Sequence, residues 1–348
     1  MNMKIEVSRL DVNDFQTSNL WDNFVFSNDN ATFFHRAGWQ KVINSVFNHP
    51  TYFLYVELSG VIRGILPLAH VKSILFGNSL ISLPFAVYGG VVAVNDEIGN
   101  SLERAAQELA KELKVDHLEF RNLVQRNIEW PSQDIYVTFR KSILPTEEEN
   151  LLAIPRKQRA MIRKGIKNGL RSEVDLSVDR FFTLYADNVH RHGTPAMPKK
   201  YFSALKKEFG TDCEILIVST IDGLPVSSVM SFYFRDEVLP YYAGDSVYAR
   251  DLAANDFKYW ELLRRACKLG LKIFDYGRSK VNTGSFAFKK NWGFEAKPLS
   301  YEYCLYRSES IPQNNPSNKK FSLLISTWKR LPISVANAIG PFIVKNLG

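Results

Sequence analysis

The chain has 348 residues, of which 45% are hydrophobic and 23% charged, with a formal net charge of +8. That balance excludes a largely disordered polypeptide, and the length favours two domains of ordinary size. A pI near 9.2 points to an anionic partner: a phosphate ligand, a nucleic acid or an anionic membrane surface. Cys213, Cys267 and Cys304 are too widely spaced for a disulfide framework or a zinc site, so no metal is expected and a reducing compartment is the simplest setting. The N-terminal stretch lacks a signal-peptide core, and no apolar run reaches the ~18–20 residues a membrane helix needs, so we expect a cytoplasmic protein.

Residues 4–7 read as a short strand, and mixed helices carrying Trp21, Phe24, Phe33 and Trp39 follow. From residue 51 the pattern becomes extended. Residues 52–58, a Ser59-Gly60 turn and residues 62–73 predict a β-hairpin, with Pro67 arguing for an edge or a bulge. Extended segments broken by Gly77-Asn78, Pro84 and Gly89-Gly90 lead to an amphipathic helix over 101–113 and a strand over 117–121.

The same order recurs in the second half. Strands over 214–220, 226–235 and 238–244, a turn at Asp222-Gly223, a helix over 255–269 and a strand over 272–277 repeat the first set at offsets of roughly 160 residues, too long for a solenoid. The repetition predicts a duplicated α/β domain. Its halves are 1–145 and 146–310, followed by a linker and an apolar, basic tail over 311–348.

Between the halves, Pro155 suits the first turn of a helix and Gly169 its end. Seven cations lie within 156–171 (Arg156, Lys157, Arg159, Arg163, Lys164, Lys167 and Arg171) with no carboxylate among them. Arg156, Arg159, Arg163 and Lys167 share one helical face, with Ile162, Ile166 and Leu170 toward another. A solvated helix face normally mixes both signs, so this stripe is expected to meet phosphates, tRNA included. His190, Arg191 and His192 precede a Gly-Thr-Pro turn and read as loop residues without metal partners.

The stretch over 270–294 carries the densest chemistry. Asp275 falls within a buried strand, where a carboxylate needs a partner, and Arg278 is the local candidate. A polar loop over 281–285 and a short helix over 286–292 bearing Lys289 and Lys290 follow, and residues 299–306 alternate into a closing strand. The tail, with Phe321, Leu324, Trp328, Lys329 and Arg330, either docks on its own domain or lies in a membrane interface.

Taken with the duplicated unit and the basic helix, the runs GTP (193–195), FDYGRS (274–279) and FKKNWGF (288–294) resemble the FemAB-like tandem GNAT proteins. Residues 64–93 and 315–341 are similar to the FemAB-related branch associated with bacterial PEP-CTERM/exosortase and exopolysaccharide systems. The resemblance implies an α/β (α+β) fold of two tandem GNAT domains, each a mixed β-sheet flanked by helices. It also implies acyl or aminoacyl transfer to an amine on a cell-envelope or lipid-linked saccharide precursor, with acyl-CoA or aminoacyl-tRNA as donor and no tightly bound cofactor. The CoA signature Gln/Arg-x-x-Gly-x-Gly/Ala falls on residues 250–255, where Arg250 matches and Ala253 and Asn255 replace the two small turn residues. Asp275 then becomes the candidate base or acceptor-orienting group, Tyr276 a candidate acid, and Arg278, Lys289 and Lys290 candidate anion ligands. The competing expectation is a non-catalytic GNAT-like binding protein in a polysaccharide-assembly complex.

Overall fold

The computed structural model describes residues 5–73, 76–312 and 322–346. Two compact units emerge. The described part of the first lies within 5–134, 299–312 and 345–346, and that of the second within 135–298 and 322–344.

The first unit runs β1 (Ser8–Arg9), α1 (Phe15–Ser27), α2 (Gly38–Phe47), β2 (Thr51–Leu58), β3 (Val61–Ser73), β4 (Gly77–Ser82), β5 (Val92–Ala93), α3 (Asp96–Glu112), β6 (His117–Asn122) and β7 (Ser132–Gln133). The second runs β8 (Tyr136–Ser142), α4 (Glu147–Leu152), α5 (Arg156–Lys167), β9 (Arg171–Asp175), α6 (Asp179–His192), α7 (Lys199–Phe209), β10 (Cys213–Ser219), β11 (Pro225–Phe234), β12 (Glu237–Asp245), α8 (Ala249–Leu252), α9 (Ala254–Lys268), β13 (Ile273–Lys280), α10 (Gly284–Asn291) and β14 (Ala296–Pro298). The chain then returns to the first unit with β15 (Ser300–Leu305) and closes in the second with α11 (Ser322–Trp328) and α12 (Ile333–Val344).

The sheet orders are β1-β2-β3-β4-β6-β15-β7, with β5 also on β3, and β14-β8-β13-β12-β11-β10-β9. Each contains one parallel neighbour pair, β4·β6 and β12·β13, joined through a helix, and each is otherwise antiparallel. The duplicated mixed sheet expected from the sequence is thus present. The boundaries differ from 145 and 310, however. β8 lies in the second sheet between β13 and β14, and β15 lies in the first between β6 and β7, so the two sheets exchange one strand at equivalent positions. Each exchanged strand buries apolar residues in its host, Val137 and Phe139 from β8 and Tyr301 and Tyr303 from β15, which is why neither half closes its sheet with its own sequence.

Other differences from the sequence reading have local causes. α3 starts ahead of residue 101 because the Asn95 side chain caps the Ile98 N–H at 2.9 Å. Pro67 is interior rather than at an edge: its residue falls between the β3 positions paired with β5 (Gly64, Ile65) and those paired with β4 (from Ala69), where no N–H is demanded. The strand expected over 4–7 is found at Ser8–Arg9, residue 4 lying outside the described residues. His190, Arg191 and His192 form the last turn of α6, which Gly193 ends with φ +83°.

α6 lies against β12 so closely that a Cβ added at Gly244 would sit 2.3 Å from the Tyr185 nitrogen. Backbone cannot yield as a side chain can. Gly244→Ala is therefore expected to destabilise the chain by about 3 kcal/mol, read as a lower urea midpoint at unchanged m-value. A midpoint equal to wild type would show that the approach of α6 to β12 is not as described.

Candidate active site

β12 and β13 run parallel but pair only at Glu237↔Ile273 and Val238↔Phe274. Beyond these, β12 stays with β11 as far as Asp245 and β13 stays with β8 as far as Lys280. The strands separate into a wedge. Past Val238 the edge of β12 that faced β13 has no strand partner among the described residues.

The wedge opens where β13 bulges between Asp275 and Arg278, with Gly277 at φ +64°. Two buried charges hold that bulge. Asp275, 0% exposed, accepts from the Gly277 N–H at 2.7 Å, from Arg140 Nη1 at 3.0 Å and from Thr138 Oγ1 at 3.4 Å. Its counter-ion thus comes from β8, 135 positions away, whereas the sequence reading looked to Arg278. Arg140 also pairs with Glu237, whose carboxyl is raised by burial against the opposing pull of Arg140. Arg278 lays its guanidinium 4.4 Å over the Tyr136 ring.

Lys289 is corrected more sharply. Rather than waiting for an anion, its buried ammonium donates to the carbonyls of Tyr276 (2.7 Å), Gly277 (3.1 Å) and Arg278 (3.0 Å), which uses all three of its protons. Burial lowers it to about 7, with Asp275 pulling upward and Arg278 downward. Lys290, one residue on, is exposed. Tyr276 is also corrected as a candidate acid: its ring is packed against Phe274, Phe294 and Tyr259, its buried hydroxyl has no hydrogen-bond partner among the described residues, and burial holds the phenol neutral well above its ordinary range. The alternation of β13 sends Tyr276 into the apolar core and Asp275 to the opposite face.

After β12 the chain turns through α8 into α9. Ala253 adopts φ +58°, a conformation usually left to glycine, at the position where the CoA signature has its first Gly. α9 then begins without a side-chain cap from Ala253, and Arg250 stands exposed just before it. Asp256 in the same turn takes the Trp292 indole N–H at 2.9 Å, and its carboxyl is raised by burial. Behind the turn, fully buried Lys258 pairs with Asp245 at 2.8 Å.

α5 packs beside this turn. A Cβ on Gly165 would lie 2.8 Å from Phe257 Cβ, and Asn168 Nδ2 donates to the Leu252 carbonyl at 3.1 Å. Gln158, Ile162 and Gly165 are buried, whereas Ile166 is exposed, so the inward face is narrower than the sequence reading had it. Arg156, Lys157, Arg163, Lys164, Lys167 and Arg171 are exposed and Arg159 half-buried. Among the described residues no side-chain hydrogen bond or ion pair engages any of the seven, and Arg159 Nε is shielded from solvent without a partner. Sequence analysis missed Arg140, Thr138 and Lys258. Nothing in their local pattern marks them, since their partners are distant or their strand was not recognised.

Residues 156–290, the greater part of the second unit, match the family model described as the acetyltransferase (GNAT) domain. With a mixed sheet of the same kind in both units, the fold is that of a tandem GNAT protein. Among solved structures, the chain is similar to FemX (15% identity, 87% of this chain and 98% of that one, TM-score 0.66). It is also similar to the C-terminal domain of a putative lysylphosphatidylglycerol synthetase from Agrobacterium fabrum (13%, 89% and 95%, TM-score 0.58). A third likeness is to a tandem GNAT protein from the clavulanic acid biosynthesis pathway (12%, 88% and 100%, TM-score 0.55). No curated protein sequence matches the chain. Among the described residues no group of three or more His, Cys, Asp or Glu is placed to hold a metal, and no helix is long and apolar enough to cross a membrane.

Proposed function

We propose that the chain is an N-acyltransferase that moves an acyl or aminoacyl group from an anionic carrier, acyl-CoA or aminoacyl-tRNA, to an amine on a cell-envelope or exopolysaccharide precursor. The observation that carries this reading is the wedge between β12 and β13, which opens beside an uncapped helix N-terminus within a segment matching the GNAT domain. A carbonyl laid in the wedge can be met by main-chain donors of β12 while the carrier's phosphates lie at α9 and Arg250. Attack forms the C–N bond, breaks the C–S or C–O bond to the carrier, and releases a proton from the amine. The chain's main contribution is positioning. The acceptor class is supported by the sequence resemblance to FemAB-related exopolysaccharide proteins.

The donors are separated by incubating the protein with labelled acetyl-CoA or charged tRNA and an amine acceptor. With tRNA, Arg159→Gln plus Arg163→Gln should weaken binding and flatten the slope of log affinity against log salt by about 0.7–0.9 per lost phosphate contact. With acyl-CoA, Arg250→Gln should raise KM while the α5 pair has little effect. A second reading, a GNAT-like protein that binds without turnover, is favoured by the withdrawal of Asp275 and Tyr276 from solvent. Absence of transfer from either donor, with binding retained, would decide for it.

A further inference from the structure

α12 is built inside out for a surface helix. Such helices bury their bulky apolar stripe and turn polar residues outward. Here the buried stripe is Ala336, Gly340 and Val344, while Val335 (40% exposed), Ala338, Ile339 (44%) and Phe342 (69%) face outward. No charged residue occurs between Ile333 and Val344.

The helix is nonetheless seated on its own unit. Gly340 is buried against the segment after α6, where even a Cβ would meet the Ala196 nitrogen only at 3.4 Å, an ordinary van der Waals contact. α11 is pinned beside it: Ile325 Cγ2 and Lys329 Cε crowd Gly193, and His190 Nε2 donates to the Trp328 carbonyl at 3.1 Å. The alternatives the sequence left open, docking on the domain or facing a membrane, are therefore compatible. Inner and outer faces do different things.

From residue 310 to the end, the chain carries Lys319, Lys320, Lys329, Arg330 and Lys345 and no Asp or Glu. Lys329 and Arg330 are exposed in the turn leading to α12. An apolar face with cations beside it and no carboxylate has the composition of an interfacial helix. We propose that the outward face of α12, together with the exposed Lys329 and Arg330 of the turn before it, is a docking surface for an anionic lipid bilayer. The helix lies in the interface with Phe342 and Ile339 among the acyl-chain ends and the two cations at the headgroups; at twelve residues it does not span. A second copy of the chain would prefer a face free of unopposed cations, because two such patches repel. The proposal stands apart from the acyltransferase reading, since binding is measured without donor or acceptor.

The test is co-sedimentation of the full chain with vesicles of phosphatidylcholine alone or mixed with phosphatidylglycerol. Wild type should bind the mixed vesicles and be released by salt. Lys329→Gln with Arg330→Gln should weaken binding roughly fivefold per charge, and Ile339→Ser with Phe342→Ser at least about tenfold. Circular dichroism checks that the variants fold; Phe342→Trp supplies an independent reading, its indole emission shifting to the blue on adding mixed vesicles. Failure of wild type to bind, unchanged binding of the Ile339/Phe342 variant, or an unshifted emission from Phe342→Trp would each overturn the proposal. So would a concentration-dependent dimer lost in the Ile339/Phe342 variant, which would assign the face to a second copy.

Discussion

Replacing Lys289 by Met is expected to destabilise the second unit by roughly 2–4 kcal/mol, because three buried carbonyls would lose their donor at once. Relief of burying a cation offsets part of the loss, which keeps the figure below the sum of three orphaned acceptors. Lys290→Met, at the exposed neighbour, should stay within about 0.5 kcal/mol of wild type. Denaturant unfolding of the two variants makes the comparison, and equal midpoints would remove Lys289 from the bulge. The pH dependence has a definite sign. With a folded-state value of about 7 against the ordinary 10.5, the unfolded chain holds the extra proton between those values, so the Lys289 contribution to stability grows as pH rises through that window. Wild type should therefore gain stability relative to Lys289→Met from neutral toward alkaline pH. A difference that is flat with pH would contradict the burial.

Asp275→Ala is expected to cost about 3–5 kcal/mol, since it strips a counter-charge from Arg140 and the acceptor from the Gly277 N–H inside the protein. Asp275→Asn keeps an oxygen for Gly277 and should cost less. If transfer is observed, its kinetics separate two roles. As holder of the bulge, Asp275 acts through geometry: Asp275→Asn lowers kcat and leaves the shape of the pH–rate profile intact. As a general base it would lower turnover by roughly 10²–10⁴ and remove the corresponding ionisation from the profile. The three donors already on its carboxylate argue for the first. Loss of that ionisation in Asp275→Asn would restore the second.

Local pattern made much of the fold readable. Ser59-Gly60 and Asp222-Gly223 mark hairpin turns, and Ser59, Gly60 and Gly223 all take positive φ, as such turns require. The strands at 52–58, 214–220 and 226–235 show in their apolar runs, and the unopposed cations of 156–171 announce a helix whose cations make no ion pair among the described residues. The candidate site was legible only as a region. Asp275, Lys289 and Arg278 were picked out by charge within an apolar stretch, but a charge within a core satisfies itself with whatever the fold brings near. For Asp275 that is a strand 135 positions away, and for Lys289 the carbonyls of a bulge.

What the sequence determined by itself is therefore whatever neighbouring residues decide: the duplicated order of hairpin, helix and strand, the basic character of α5, and the apolar, acid-free composition of the tail. Tertiary structure alone decided which strand completes which sheet, because the partners of β8 (β13 and β14) and of β15 (β6 and β7) are set by pairing across long stretches of chain that no local pattern records. It likewise decided which face of α12 is buried. Hydrophobic periodicity selects the bulky side, whereas in the fold Ala336, Gly340 and Val344 are the residues buried and Ile339 and Phe342 stay exposed, a choice made by what the rest of the unit offers to pack against.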